Sequence, residues 1–112
     1  EEEENLRQLC LNVLEPLRMR FGRIIITSGY RSNALNKAIG GTFNSQHMRG
    51  EAADIHIPNE ATGRRYYLFI KHTLVFDQLL FEHRMRNGCM WLHVSFRQPP
   101  HHNRGEAMEM TI

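Results

Sequence analysis

Ser45-Gln46-His47-Met48-Arg49-Gly50-Glu51-Ala52-Ala53-Asp54 is the stretch on which the reading of this chain turns. His47 and Asp54 are competent metal ligands with six residues between them. Gly50 permits a backbone turn that a residue with a side chain resists, and Ala52 and Ala53 leave room beside a strand. A His and an Asp at this separation recur by chance in many sequences, so the pair needs support from elsewhere. It comes from His93, a third candidate ligand in another strand-like run. Three protein ligands suffice for a working zinc site.

Working outward, residues 52–57 alternate as a half-buried strand does, with Ala52, Asp54 and His56 on one face and Ala53, Ile55 and Ile57 on the other. His56 is therefore a rival ligand, or else a hydrogen-bonded neighbour or rim residue. Pro58 closes this strand, and Asn59 or Glu60 opens a helix carrying Tyr66, Leu68, Phe69 and Ile70 to about His72. Gly63 weakens its first turn. The final third reads as a hairpin: strands over Phe76–Glu82 and Trp91–Phe96, joined through Asn87-Gly88. Trp91, His93 and Ser95 share one face of the second strand; Gln78, Leu80 and Glu82 share one face of the first. If Glu82 pairs close to Trp91, its carboxylate lies diagonal to His93, roughly 7–8 Å away by backbone and within side-chain reach. Glu82 then either meets a metal-side water or pairs with Arg84 or Arg86 at the strand end. His101 and His102 are adjacent in a turn-rich loop and are expected in solvent, since neighbouring side chains rarely converge on one ion. Residues 107–112 add a short last strand or edge.

Before the central stretch, Leu6, Leu9, Cys10, Val13, Leu14 and Leu17 recur at helical spacing, which predicts an amphipathic helix from Glu2 to about Arg20. Its leading glutamates suit the positive end of a helix dipole, and Pro16 should kink or split it. Gly22 ends it, and residues 23–27 read as a short buried strand. A turn at Ser28-Gly29-Tyr30-Arg31-Ser32 leads into a short helix from Asn33 to about Ile39, which stops at Gly40-Gly41. Arg31 is open to two readings: a surface ion pair, or a planar fork aimed from the strand end at a substrate carboxylate or carbonyl.

Composition narrows the function classes. At 112 residues the chain makes one domain with one core. Fourteen Lys and Arg against 12 Asp and Glu give a formal charge of only +2, and no basic stripe interleaved with aromatics supports a nucleic-acid binder. No apolar run is long enough to span a membrane. Cys10 and Cys89 lack C-x-x-C spacing and read as free thiols. No signal peptide is visible, but a chain opening on Glu1 leaves the compartment undecided.

Ser45-x-His47-x-x-Gly50-x-Ala52-x-Asp54 resembles the SxHxxGxAxD signature of the VanY-like zinc D-alanyl-D-alanine carboxypeptidases and phage endolysin peptidases, whose fold is also that of the hedgehog signalling domain. Ser28-Gly29-Tyr30-Arg31-Ser32, followed by Leu35-Asn36 and Gly40-Gly41, resembles the same family's SGYRS element. Trp91-Leu92-His93-Val94-Ser95 resembles its closing W-x-H strand. The three motifs stand in the family's order between about Ile24 and Phe96. The resemblance implies one zinc ion per chain on His47, Asp54 and His93 with a water in the fourth position, and an arginine at Arg31 that binds or polarises substrate. It further implies action on bacterial cell-wall peptides, and hence a bacterial envelope or phage setting. One position departs: many relatives place a glutamate base three residues before the second histidine, where this chain has Met90. A base relocated to Glu82 is the preferred account, with Ser45 or Gln46 joining Arg31 around the developing oxyanion.

The expectation is therefore an α+β domain over residues 1–112: a small antiparallel sheet from strands near Ile24, Ala53, Leu79 and Val94, with helices packed mainly on one face. The expected function is zinc-dependent hydrolysis of a peptidoglycan stem peptide, of D-Ala-D-Ala carboxypeptidase or L,D-endopeptidase type, by a monomer. The alternatives are a zinc-stabilised binding module without turnover, or a structural phage or envelope component.

Overall fold

Leu9, Val13 and Leu17 are fully buried and lie along one stripe of the N-terminal helical rod, as their spacing requires. In the computed structural model, which describes residues 1–28, 46–85 and 87–111, α1 spans Glu2–Leu9 and α2 spans Glu15–Phe21, with a π-helical turn over Cys10–Leu14 between them. Pro16 accounts for the division. It lacks an amide hydrogen, and its ring would strike the carbonyl one turn earlier. Widening the preceding turn, with the Glu15 amide donating to the Cys10 carbonyl, lets the rod continue rather than break. Cys10 points to solvent, because it sits ~100° around the rod from Leu9.

Five strands form one sheet in the spatial order β1-β2-β4-β3-β5: β1 Ile26–Ser28, β2 Ala52–His56, β3 Gln78–His83, β4 Met90–Ser95 and β5 Glu106–Thr111. The first four pair antiparallel, as expected, but β5 runs parallel to β3. The reason lies in the return loop. The Gly105 amide donates to the Phe76 carbonyl and the Glu106 amide to that of Asp77, so β5 starts beside the start of β3. The first strand also differs from expectation. It begins at Ile26, and Ile25 and Ile26 are 49% and 41% exposed rather than buried. β1 is the sheet's edge, bulged between Ile26 and Ser28, and Ile24 makes the core contact instead.

Packed against the end of the N-terminal rod, with Phe21 on Tyr66 and Phe69, α3 covers the sheet over Glu60–Thr73. Asn59 caps it, its side chain accepting from the Thr62 amide at 2.8 Å. Gly63, unfavourable by propensity, is required by packing: a Cβ there would stand 2.7 Å from Ile57 Cγ2 and 2.9 Å from Phe81 Cζ. The glycine lets the helix backbone settle onto β2 and β3.

Period-two alternation then sorts the sheet into two faces. Ala53, Ile55, Leu79, Phe81, Leu92 and Val94 join Leu9, Val13, Leu17, Tyr66, Tyr67 and Ile70 in one core. Each fully buried large side chain there contributes about 1.5–3 kcal/mol, which fixes the face that turns inward. The described helices thus pack on one side, and among the described residues no helix covers the opposite face, called the uncovered face below. The expected turn from Gly29 with Arg31, the helix at 33–39, Gly40-Gly41 and Ser45 lie outside the described residues, as do Arg86 and Ile112.

Candidate metal centre

Strand register sets the residues of the uncovered face in rungs. Asp54 of β2 stands opposite His93 of β4, which stands opposite Leu80 of β3; one rung along, His56 faces Trp91, and Trp91 faces Glu82. Asp54 and His93 are neighbours because the pleat and the pairing both put them there.

His47 arrives from the turn that precedes β2. The Arg49 and Glu51 amides donate to the Gln46 carbonyl and the Gly50 amide to that of His47, which closes the turn tightly. Gly50, at φ 75°, lies in the left-handed region. It also lies against α1, where a Cβ would collide with the Glu2 carbonyl oxygen. Asn5 of α1 completes the clamp by donating to the Arg49 carbonyl at 2.7 Å. His47 itself is buried.

The three side chains converge on one carboxylate oxygen. His47 Nε2 lies 3.3 Å and His93 Nδ1 3.1 Å from Asp54 Oδ1, and the imidazole rings meet edge-on with centroids 5.2 Å apart. Among the described residues, one donor atom from each of these three lies within 4.8 Å of the others. Four donors held ~2.0 Å from a tetrahedral zinc ion are roughly 3.3 Å from each other, so the group is the right size and chemistry for that metal. Burial pushes the Asp54 carboxyl up, but hydrogen bonds from His47 and His93 outweigh it and hold the group at about 2. An ionised carboxylate is the form that a metal needs.

Glu82 stands on the next rung. The Trp91 indole N–H donates to its Oε2 at 2.9 Å, while Arg84 lies over the Trp91 ring rather than pairing with Glu82. Burial raises the Glu82 pKa, opposed by the neighbouring His93 and by the Trp91 hydrogen bond, with Asp54 and His47 also felt. Glu82 therefore belongs to the electrostatic neighbourhood of the three candidate ligands. His56 is exposed at the rim, and His101 and His102 are exposed in their loop, His101 beside the Arg97 guanidinium. Gln46 donates its side-chain N–H to Asp77 at 2.9 Å.

That contact leads to a residue that the sequence did not single out. Asp77 is 1% exposed at the entry to β3. Oδ1 accepts from the Arg104 backbone and Nε, and Oδ2 from Arg104 Nη2 and Gln46. It ties the turn carrying His47 to the segment leading into β5. Burial would raise its pKa, yet the Arg104 and Gln46 hydrogen bonds bring it below the ordinary value. An aspartate between Phe76 and the first β3 residues was the visible signal. Its partner Arg104, 27 positions away, was not.

A family model described as Peptidase M15 matches residues 2–95. No curated protein matches the chain.

Two outcomes test this geometry. Single changes His47→Ala, Asp54→Ala and His93→Ala should each strip most of the zinc from protein purified and dialysed with that metal, read by atomic spectrometry. His56→Ala, His101→Ala and His102→Ala should retain it; loss at His101 or His102 equal to that at His93 would refute the ligand set. Asp77→Asn should cost about 1–3 kcal/mol in urea denaturation at pH 7 and weaken zinc binding through the Gln46 turn. Because folding lowers the Asp77 pKa, its contribution is complete above the unfolded value of about 4 and fades as pH falls through the folded one. The gap between wild type and Asp77→Asn should accordingly narrow as pH falls below the unfolded value of about 4.

Proposed function

The chain belongs to the peptidase M15 family, and on that premise we propose that it hydrolyses a peptide bond in peptidoglycan stem peptides with zinc as its metal. The observation that carries the reading is the convergence of His47, Asp54 and His93 with a half-buried carboxylate, Glu82, on the adjoining rung. A zinc ion held by the three side chains would polarise the scissile carbonyl and lower the pKa of water from 15.7 to about 7.

In this proposal Glu82 is the general base. It takes the proton of the attacking water and returns it to the leaving amine. The indole of Trp91 fixes Oε2, and Oε1, without a hydrogen-bond partner among the described residues, would receive the proton. The raised pKa makes the carboxylate a stronger acceptor, which suits that task better than the ordinary value. Glu82 thereby fills the role that many relatives give to a glutamate at the place of Met90. Arg31 offers a bidentate fork to the substrate carbonyl or carboxylate, and Ser45 a hydroxyl. Gln46, with its amide N–H engaged by Asp77, keeps Oε1 to accept from a substrate N–H.

Incubation with muropeptides, with and without a chelator, and mass spectrometry of the new termini tests the activity directly. Glu82→Gln should keep zinc and the thermal midpoint while slowing the chemical step by about 10²–10⁴-fold. Normal turnover in that variant removes Glu82 as base; no turnover in wild type with zinc bound makes this a binding module instead. Arg31→Lys should retain zinc and the thermal midpoint but lower kcat or raise KM, since lysine keeps the charge and loses the fork. A fall in thermal stability with unchanged turnover would make Arg31 a structural ion-pair residue.

A further inference from the structure

Beside the three candidate ligands the uncovered face opens into a cleft of about 390 Å³, reached past Asp54 and walled by Thr27, His56, Arg84, Met90 and Trp91. The volume lies at the lower end of the range for small-ligand sites, enough for a residue or two of a peptide. Its walls are the next rung of the sheet and the hairpin loop, so it continues the line from Asp54 to His56 along β2.

Formal charge in the described lining of the cleft comes from two residues, Asp54 and Arg84. Apart from the candidate ligand Asp54, no described lining residue carries a carboxylate. Arg84 makes no ion pair among the described residues; its guanidinium lies 5.2 Å from the Trp91 ring centroid. Stacking of this kind orients an arginine while leaving its N–H edge available. The base of the side chain is held too, since the Arg84 amide donates to the Cys89 carbonyl and the Gly88 amide to that of Arg84. A divalent ion would be balanced by Asp54 and Glu82, which leaves Arg84 as surplus positive charge next to the reacting centre.

We propose that this cleft is a substrate subsite in which Arg84, oriented by Trp91, binds a free carboxylate on the peptide residue adjoining the scissile bond. The inference takes its ligand class from the peptidase reading, but binding can be read without turnover. Trp91 is the single tryptophan of the chain, so its fluorescence reports the cleft directly.

The test uses the zinc-loaded Glu82→Gln protein, titrated with a soluble stem peptide bearing free carboxylates and with the same peptide amidated at those groups. The acidic peptide should bind roughly 5- to 10-fold more tightly, the size of a half-exposed, charge-assisted contact, and the preference should weaken as salt is raised. Adding Arg84→Gln should erase the preference while the thermal midpoint and zinc content hold. Equal affinity for the two peptides, a preference that survives Arg84→Gln, or no binding of either would overturn the subsite. Binding with the expected preference but no cleavage by wild type would overturn the peptidase reading alone.

Discussion

Everything at the candidate centre depends on one register: β2 and β4 pair so that Asp54 stands opposite His93. Side chains alternate across a sheet with a period of two, so a slip of one residue would send Asp54 into the core and a core residue outward. The apolar face prevents that slip. Ala53, Ile55, Leu92 and Val94 are all essentially buried on the same two strands, and exposing them would cost several kcal/mol. The hydrophobic core thus holds the geometry of the candidate ligands from the other face of the sheet.

The third candidate ligand is positioned by different means. His47 lies on a turn, and turns carry no pleat to aim their side chains. Its place is set by the Gly50 conformation and the Gly50 contact with α1, by Asn5 holding the Arg49 carbonyl, and by Asp77 holding Gln46. Glu51, buried just after the turn, pairs with Arg49 and lies near Arg97. These contacts draw on the N-terminal rod, the entry to β3 and the segment before β5, so the whole domain is used to aim one imidazole.

The carboxylates of the uncovered face also differ in environment. Asp54, flanked by two imidazoles, is held ionised, whereas Glu82 is pushed up by burial and keeps a higher proton affinity. The proposed roles of ligand and base call for that difference. It arises from neighbours one rung apart on the same sheet, with the Trp91 N–H as the partner that orients Glu82.

Much of this was legible in the chain itself. The alternation of residues 52–57 and 91–96 gave the faces of Asp54, His56, Trp91 and His93, and the apolar spacing of Leu9, Val13 and Leu17 gave the rod. The hairpin registered Glu82 against Trp91 as its turn suggested. Such features are local or repeat along one element, so a short window contains them. What a window cannot contain is a partner distant in sequence. The Asp77–Arg104 pair, the approach of α1 to Gly50, the parallel pairing of β5 and the exposure of β1 each join segments whose proximity is decided by how the layers close. Sequence alone determined which strand residues share the face of the site, because side-chain direction along a strand follows from backbone period. Tertiary structure alone decided how close they come and what surrounds them, because distance and burial are set by the packing of the whole chain.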